Sequence, residues 1–285
     1  MTDLAPLEVV YDGAQGDDLP LPTRLASLYG RLRFPPRTGR PYAIGNFVTT
    51  IDGVVSLGSP GHQAGGDISG FNEHDRMVMG LLRAVSDVVV VGAGTLRSVP
   101  GHIWTAAYVY PPLAGEYGQL RASLGKPGPP LNVIVSASGE LDPEFRVLRG
   151  GEVPVLVVTT ERGAQRMHKQ SLPPSVSIIA VAREGPVSAA AVLDAAGHVR
   201  QSSVVLVEGG PRLVGDFLAE RCLDELFLTL APQIAGRDGT TERPGLVSGK
   251  SFAPDNPLWG TLVAVRRGES HLFLRYSFPS PPAPA

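Results

Sequence analysis

The chain has one cysteine, Cys222, among 285 residues. A single thiol excludes an intramolecular disulfide and a cysteine-rich zinc site. No apolar run approaches the roughly 18 residues that a membrane helix needs. Charge is nearly balanced, with 25 Lys and Arg against 27 Asp and Glu. No cluster of basic residues stands out, which argues against a protein that neutralises nucleic-acid phosphates. The opening MTDLAPLEVVYDGAQGDD is acidic and lacks the basic region and apolar run of a signal peptide. His62, His74, His102, His168, His198 and His271 show no metal-ligand spacing, so no metal is assigned. These absences lead us to expect a cytoplasmic protein with neither nucleic acid nor membrane as partner.

Hydrophobic residues make up 43% of the chain and charged residues 18%, enough to bury a substantial core. Strand and helix signals alternate. Tyr42 to Thr50 is a strand ending in the turn Asp52-Gly53. Asn72 is a helix cap, followed by Met77, Val78, Leu81, Leu82 and Val85 at helical spacing. Val88 to Val91 suits a strand buried on both faces, as in a parallel sheet. Leu131 to Val135, Val155 to Thr159, Val176 to Val181, Val204 to Val207 and Leu226 to Leu230 are further strands. Gly115 to Pro130 reads as a Pro/Gly-rich loop. Helices are expected over Arg24 to Leu32, Glu161 to Lys169, Ser188 to Val199, and from Pro211 onward. Leu262 to Val265 and His271 to Tyr276 are placed to form an antiparallel hairpin. The reading is one α/β domain, a mostly parallel mixed sheet with helices on both faces. Residues 1–39 read as an N-terminal extension, 40–278 as the domain, and 279–285 as a loose Pro-rich tail.

Three segments carry chemistry. In Val204 to Pro211 a buried strand ends in Glu208-Gly209-Gly210 and a helix begins at once. Such a turn lets backbone approach a ligand, and the helix N-terminus attracts phosphate. It is also an ordinary tight turn, and the position of Glu208 at a strand end is what raises the ligand reading. Val91 to Arg97 holds a second glycine-bearing strand end, Gly92-Ala93-Gly94-Thr95, without the dinucleotide fingerprint. Two such ends fit a dinucleotide lying across a sheet, or two unrelated turns. In the third segment alternation puts Asn46, Val48 and Thr50 on one strand face. Asn46 there either meets a ligand or caps a loop. Asp52 before glycine is more often a turn residue than an acid catalyst. Arg83 reads as a favourable charge at a helix C-terminus.

The runs RPYAIGNFVTTIDG, LLRAVSDVVVVGAGT, VVLVEGGPRLVGDFL and LDELFLTLAPQIAG occur in this order. Together they resemble the reductase domain of the riboflavin-biosynthesis deaminase/reductases and the stand-alone pyrimidine reductases. The resemblance spans residues 40 to 277. It implies a dihydrofolate-reductase-like fold, NADPH as cofactor and a homodimer. The implied reaction reduces the ribosylamino group of a pyrimidine phosphate to a ribitylamino group. It also implies that Gly92, Gly94, Thr95, Gly209, Gly210, Leu213 and Gly215 lie along the cofactor phosphates. Val48 would meet the nicotinamide and Ser136 the adenosine 2′-phosphate. Asn46, Asp52, Arg83 and Glu208 would face substrate.

The sequence departs from the family in two places. It lacks the H-x-E and P-C-x-x-C motifs of the zinc deaminase, so deamination is not expected of it. The stretch Arg97-Ser98-Val99-Pro100 has no acid where the family often carries one. The expected chemistry is hydride transfer to an open-chain imine or carbonyl, with Glu208 or Asp52 as general acid. Two other readings stay open: reduction of a pterin, and a non-catalytic NADP-binding protein.

Overall fold

Four consecutive valines, Val88 to Val91, are fully buried, so each face of their strand must be covered. A computed structural model describes residues 4–126 and 128–278. It places these valines inside a ten-stranded sheet. The tail expected from Pro279 lies outside the described residues.

The strands are β1 (Glu8–Asp12), β2 (Tyr42–Thr49), β3 (Val88–Gly92), β4 (Leu131–Val135), β5 (Val155–Thr160), β6 (Val176–Ala182), β7 (Val204–Val207), β8 (Glu225–Leu230), β9 (Thr261–Gly268) and β10 (His271–Ser277). Their order is β1-β9-β10-β8-β2-β7-β3-β4-β5-β6. From β8 to β6 every pairing is parallel, and β1, β9 and β10 are antiparallel. The helices are α1 (Thr23–Tyr29), α2 (Gly65–Ser69), α3 (Glu73–Val85), α4 (Ala93–Ser98), α5 (Ala106–Val109), α6 (Ala114–Ser123), α7 (Arg146–Arg149), α8 (Glu161–Met167), α9 (Ala189–Val199) and α10 (Pro211–Ala219).

Strand alternation sends neighbouring side chains into different layers. Ile44, Val89, Val91 and Leu206 pack with Met77, Val78, Leu81 and Leu82 of α3. Val88, Val90, Val205 and Val207 pack with Val192 and Leu193 of α9 and with Leu213, Val214 and Phe217 of α10. The result is three layers. Asn72 caps α3 as expected, its side chain accepting from the Asp75 amide. The C-terminal hairpin forms through a two-residue turn in which Glu269 takes the left-handed conformation. Among the described residues no helix is long and apolar enough to cross a membrane.

Two regions differ from the sequence reading. Residues 114–123, read as part of a loop, form α6. Its Gly115 and Gly118 face outward, while Tyr117 and Leu120 are buried and the Tyr117 hydroxyl donates to Met77 O. Packing of one apolar face outweighs the poor helix propensity of glycine. Before residue 40 the chain does more than precede the domain. β1 pairs with β9, and Leu7, Leu25, Leu28, Tyr29 and Leu32 join the core on the α3 side. Arg266 of β9 ties this segment down. Its buried guanidinium stacks over the Tyr29 ring and meets the Asp12 carboxylate at 3.0 Å.

Candidate active site

Strand β7 lies between β2 and β3. The chain leaves β2 through α3 on one face to reach β3, and leaves β7 through α10 on the other face to reach β8. In a parallel sheet such a divergence opens a crevice at the carboxyl ends of the strands. Glu208, immediately after β7, stands at that crevice. Its side chain is 6% exposed.

Asn46 on β2 and Arg83 on α3 both reach Glu208. Asn46 Nδ2 donates to Oε1 at 3.3 Å. Arg83 donates to Oε2 through Nε at 2.9 Å and lies 2.7 Å from it at Nη2. Three of the residues named from sequence therefore form one buried polar cluster. Arg83 does lie in the last turn of α3, but its side chain is 2% exposed and is engaged by Glu208. Burial makes this pairing obligatory, since a lone buried charge is costly.

The sequence reading did not single out His102, yet it completes the cluster. Arg83 Nη1 sits 3.1 Å from His102 Nε2 and donates to Thr105 O at 3.3 Å. A guanidinium only donates, so Nε2 accepts and the ring proton belongs on Nδ1. The ring packs 4.9 Å from Trp104 and 4.6 Å from Tyr108. Burial, then the charges of Arg83 and Arg146, push its pKa down to about 3. His102 follows the stretch where the family acid is missing. No local pattern marks it, because its partner lies on α3.

The two glycine-bearing strand ends lie side by side, since Val90 of β3 pairs with Val207 of β7. A Cβ placed on Gly92 or Gly94 would meet nothing within 4 Å. One on Gly210 would meet only Thr95 Oγ1, at 3.5 Å. The starts of α4 and α10 thus frame a space that added side chains would fill, bordered by helix N-termini. That fits a diphosphate. Gly209 and Gly215 sit in close packing. A Cβ on Gly209 would strike Leu213, which is itself buried beneath the sheet. One on Gly215 would press on Ser248 O and Val247.

The remaining expected site residues stand apart. Val48 is buried with Val54, Ile68 and Ala231, and α2 lies over it closely enough that a Cβ on Gly65 would come within 3.1 Å of Val48 Cγ1. Ser136 is buried, its Oγ accepting from Gly139 N at 3.2 Å. Asp52 builds a turn. It accepts from the Thr50 hydroxyl at 2.6 Å and from the amides of Ala235 and Gly236 at 3.1 and 2.8 Å. The Thr50 hydroxyl and these amides hold its carboxyl down to about 2. A carboxyl so held is a poor proton donor at neutral pH.

A second carboxyl faces the sheet. Asp75, in the first turn of α3, is 5% exposed; burial pushes its carboxyl up, and the hydroxyls of Thr229 and Ser69 work the other way. Thr229 on β8 pairs in register with Val48 on β2. Sequence reading gave Asp75 no site role.

Residues 41–258 match the RibD C-terminal domain family. The chain belongs to that family. It is similar to the 2,5-diamino-6-ribosylamino-4(3H)-pyrimidinone 5′-phosphate reductase of Archaeoglobus fulgidus. The two are 25% identical over 214 residues, covering 75% of this chain and 89% of the relative. Among solved structures it resembles a pyrimidine reductase-like protein from Corynebacterium diphtheriae. That likeness has a TM-score of 0.66 at 23% identity, covering 90% of this chain and 99% of the other. It also resembles a diaminohydroxyphosphoribosylaminopyrimidine deaminase/5-amino-6-(5-phosphoribosylamino)uracil reductase from Thermotoga maritima. There the TM-score is 0.59 at 22% identity, over 84% of this chain and 57% of that one. The family shares the dihydrofolate-reductase-like layering expected from the resemblance.

Proposed function

We propose that this family member is an NADPH-dependent pyrimidine reductase. Its substrate is the ribosylamino-pyrimidine phosphate of riboflavin biosynthesis. The observation that carries the reading is the Glu208 carboxylate held between Arg83 and Asn46 beside the paired glycine turns. A carboxylate fixed in a crevice is suited to accept hydrogen bonds from ribosyl or pyrimidine donors. The printed activity of the Archaeoglobus fulgidus relative names the substrate class.

NADPH, when bound, supplies the hydride. Gly92, Gly94, Thr95 and Gly210 hold its diphosphate through backbone amides and the Thr95 hydroxyl. By the family resemblance, Val48 at the carboxyl end of β2 would lie on the nicotinamide side and Ser136 at the end of β4 on the 2′-phosphate side. Glu208, Asn46 and Arg83 orient the open-chain substrate and keep water from the reacting carbon. Asp52 supports this edge by fixing the turn after β2. Residues 40–278 carry the reductase site, with the preceding segment packed into the same sheet and core, and the working assembly is a homodimer, which light scattering checks.

The test is direct. Titrate the protein with NADPH and NADH by fluorescence, then add the ribosylamino-pyrimidine phosphate and follow oxidation at the nicotinamide band. Tight NADPH binding with turnover is the expected result. Binding without turnover, or turnover with dihydrofolate alone, overturns the substrate assignment; failure to bind overturns the cofactor.

A further inference from the structure

We propose that His102 is a positioning residue for the reduction: its ring nitrogen fixes the Arg83 fork and, through it, the Glu208 carboxylate that receives substrate. The inference rests on the reductase reading above. A guanidinium presents its N–H donors in one plane. In Arg83 those donors divide between two places. Nε and Nη2 lie 2.9 and 2.7 Å from Glu208 Oε2. Nη1 lies 3.1 Å from His102 Nε2 and donates to Thr105 O at 3.3 Å. A rigid fork gripped at both edges cannot turn without losing both grips. Glu208 Oε2 is thereby committed. Oε1, which among the described residues has Asn46 at 3.3 Å, is the oxygen left to accept from a substrate hydroxyl or amine.

The segment that carries His102 is itself anchored. Asn132, fully buried on β4, commits its side chain to this segment. Its Oδ1 accepts from Trp104 N at 3.0 Å, and its Nδ2 donates to Trp104 O at 3.3 Å. The His102 amide donates to Val99 O at 2.9 Å, and the Tyr108 hydroxyl donates to Gly101 O at 3.1 Å. The Trp104 and Tyr108 rings meet the imidazole at interplanar angles of 55° and 76°. Held on two sides, the ring has few orientations open to it. The order Asn132, Trp104, His102, Arg83, Glu208 thus runs from the middle of β4 to the end of β7, each member supporting the next.

The grip needs a neutral imidazole, with the lone pair on Nε2 and the proton on Nδ1. Burial and the charges of Arg83 and Arg146 both disfavour a second ring proton. A ring that merely satisfied one buried N–H would matter to stability alone. A ring that aims Arg83 also sets where Oε1 stands, and misplacement beside the reacting carbon is felt in the rate.

The test uses the full chain with NADPH and the ribosylamino-pyrimidine phosphate. His102→Phe keeps an aromatic ring between Trp104 and Tyr108 and removes the acceptor. His102→Gln removes the ring and keeps an acceptor. His102→Phe is expected to lose about 10- to 100-fold in kcat/KM, mostly in kcat, while NADPH affinity holds. His102→Gln should recover most of that loss. Added to Glu208→Gln, His102→Phe should cost little further, because the carboxylate it acts through is gone. Wild-type kcat/KM in folded His102→Phe, or a loss that adds in full to that of Glu208→Gln, overturns this inference alone. No turnover by the wild-type protein overturns the reductase reading and this inference with it. Should the substitutions fail to fold, the imidazole nitrogen NMR spectrum of the wild-type protein decides: the His102 proton is expected on Nδ1 at neutral pH, and a proton on Nε2 overturns the proposal.

Discussion

Arg83 Nη2 lies 2.7 Å from Glu208 Oε2, and both side chains are almost sealed from water. Removing one partner leaves the other charged and desolvated. Arg83→Met is therefore expected to cost about 3–5 kcal/mol of stability, the range for breaking a buried pair. Arg83→Met combined with Glu208→Gln should recover part of that loss. Urea unfolding of the two variants checks both statements, and a single variant as stable as wild type would refute the buried pairing.

Desolvation, then the charges of Arg83 and Arg146, push the His102 imidazole down to about 3. The unfolded chain takes up a proton near pH 6.5, and the folded chain does so only near the lowered value. A depressed pKa contributes stability above the unfolded value that is lost as pH falls toward the folded one. The protein should thus lose on the order of 1 kcal/mol between pH 6.5 and 5.5 through this group. In His102→Gln that share of the slope should vanish. Unfolding measured at the two pH values reads the difference.

A methyl group on Gly210 has room, since only Thr95 Oγ1 comes within 4 Å of it. The fold should tolerate Gly210→Ala, with a melting midpoint close to that of wild type. If a diphosphate occupies the space, the methyl group displaces it. NADPH affinity should then drop by about tenfold, or 1.4 kcal/mol. Unchanged affinity would move the cofactor away from this turn.

The carboxylate of Asp52, held down to about 2 by the Thr50 hydroxyl and two amides, stabilises its turn only while ionised. Its contribution is full above the ordinary aspartate value and is lost as pH falls through the lowered one. Asp52→Asn should be less stable than wild type at neutral pH, and the two should converge between pH 4 and 2. Thermal melts across that range test it.

Much of the sheet was legible because β3, β5 and β7 are buried on both faces and read as unbroken apolar runs. Asn46 and Glu208 stood out because polar groups at such strands need partners. Their meeting was not legible, since 162 residues separate them. Arg83 looked like a helix-end charge for the same reason, its carboxylate lying 125 residues on. Strand β1 gave no alternation because most of its length is exposed. Residues 114–123 hide a helix because two glycines occupy its outer face. Asp75 reads as an ordinary first-turn acid, and nothing local marks its burial.

Strand β2 takes its neighbours from residues 204–207 and 225–230, more than half the chain away. During synthesis it leaves the ribosome with neither partner yet made. Its Tyr42–Thr49 run, covered on both sides in the finished protein, must wait for the last third of the chain. Contacts of such long range form slowly and leave apolar strand exposed meanwhile. Glu208 cannot meet Asn46 before β2 and β7 zip together, so the crevice closes among the last events of folding. A nascent chain halted between residues 95 and 204 carries the glycine turn of β3 and lacks Glu208.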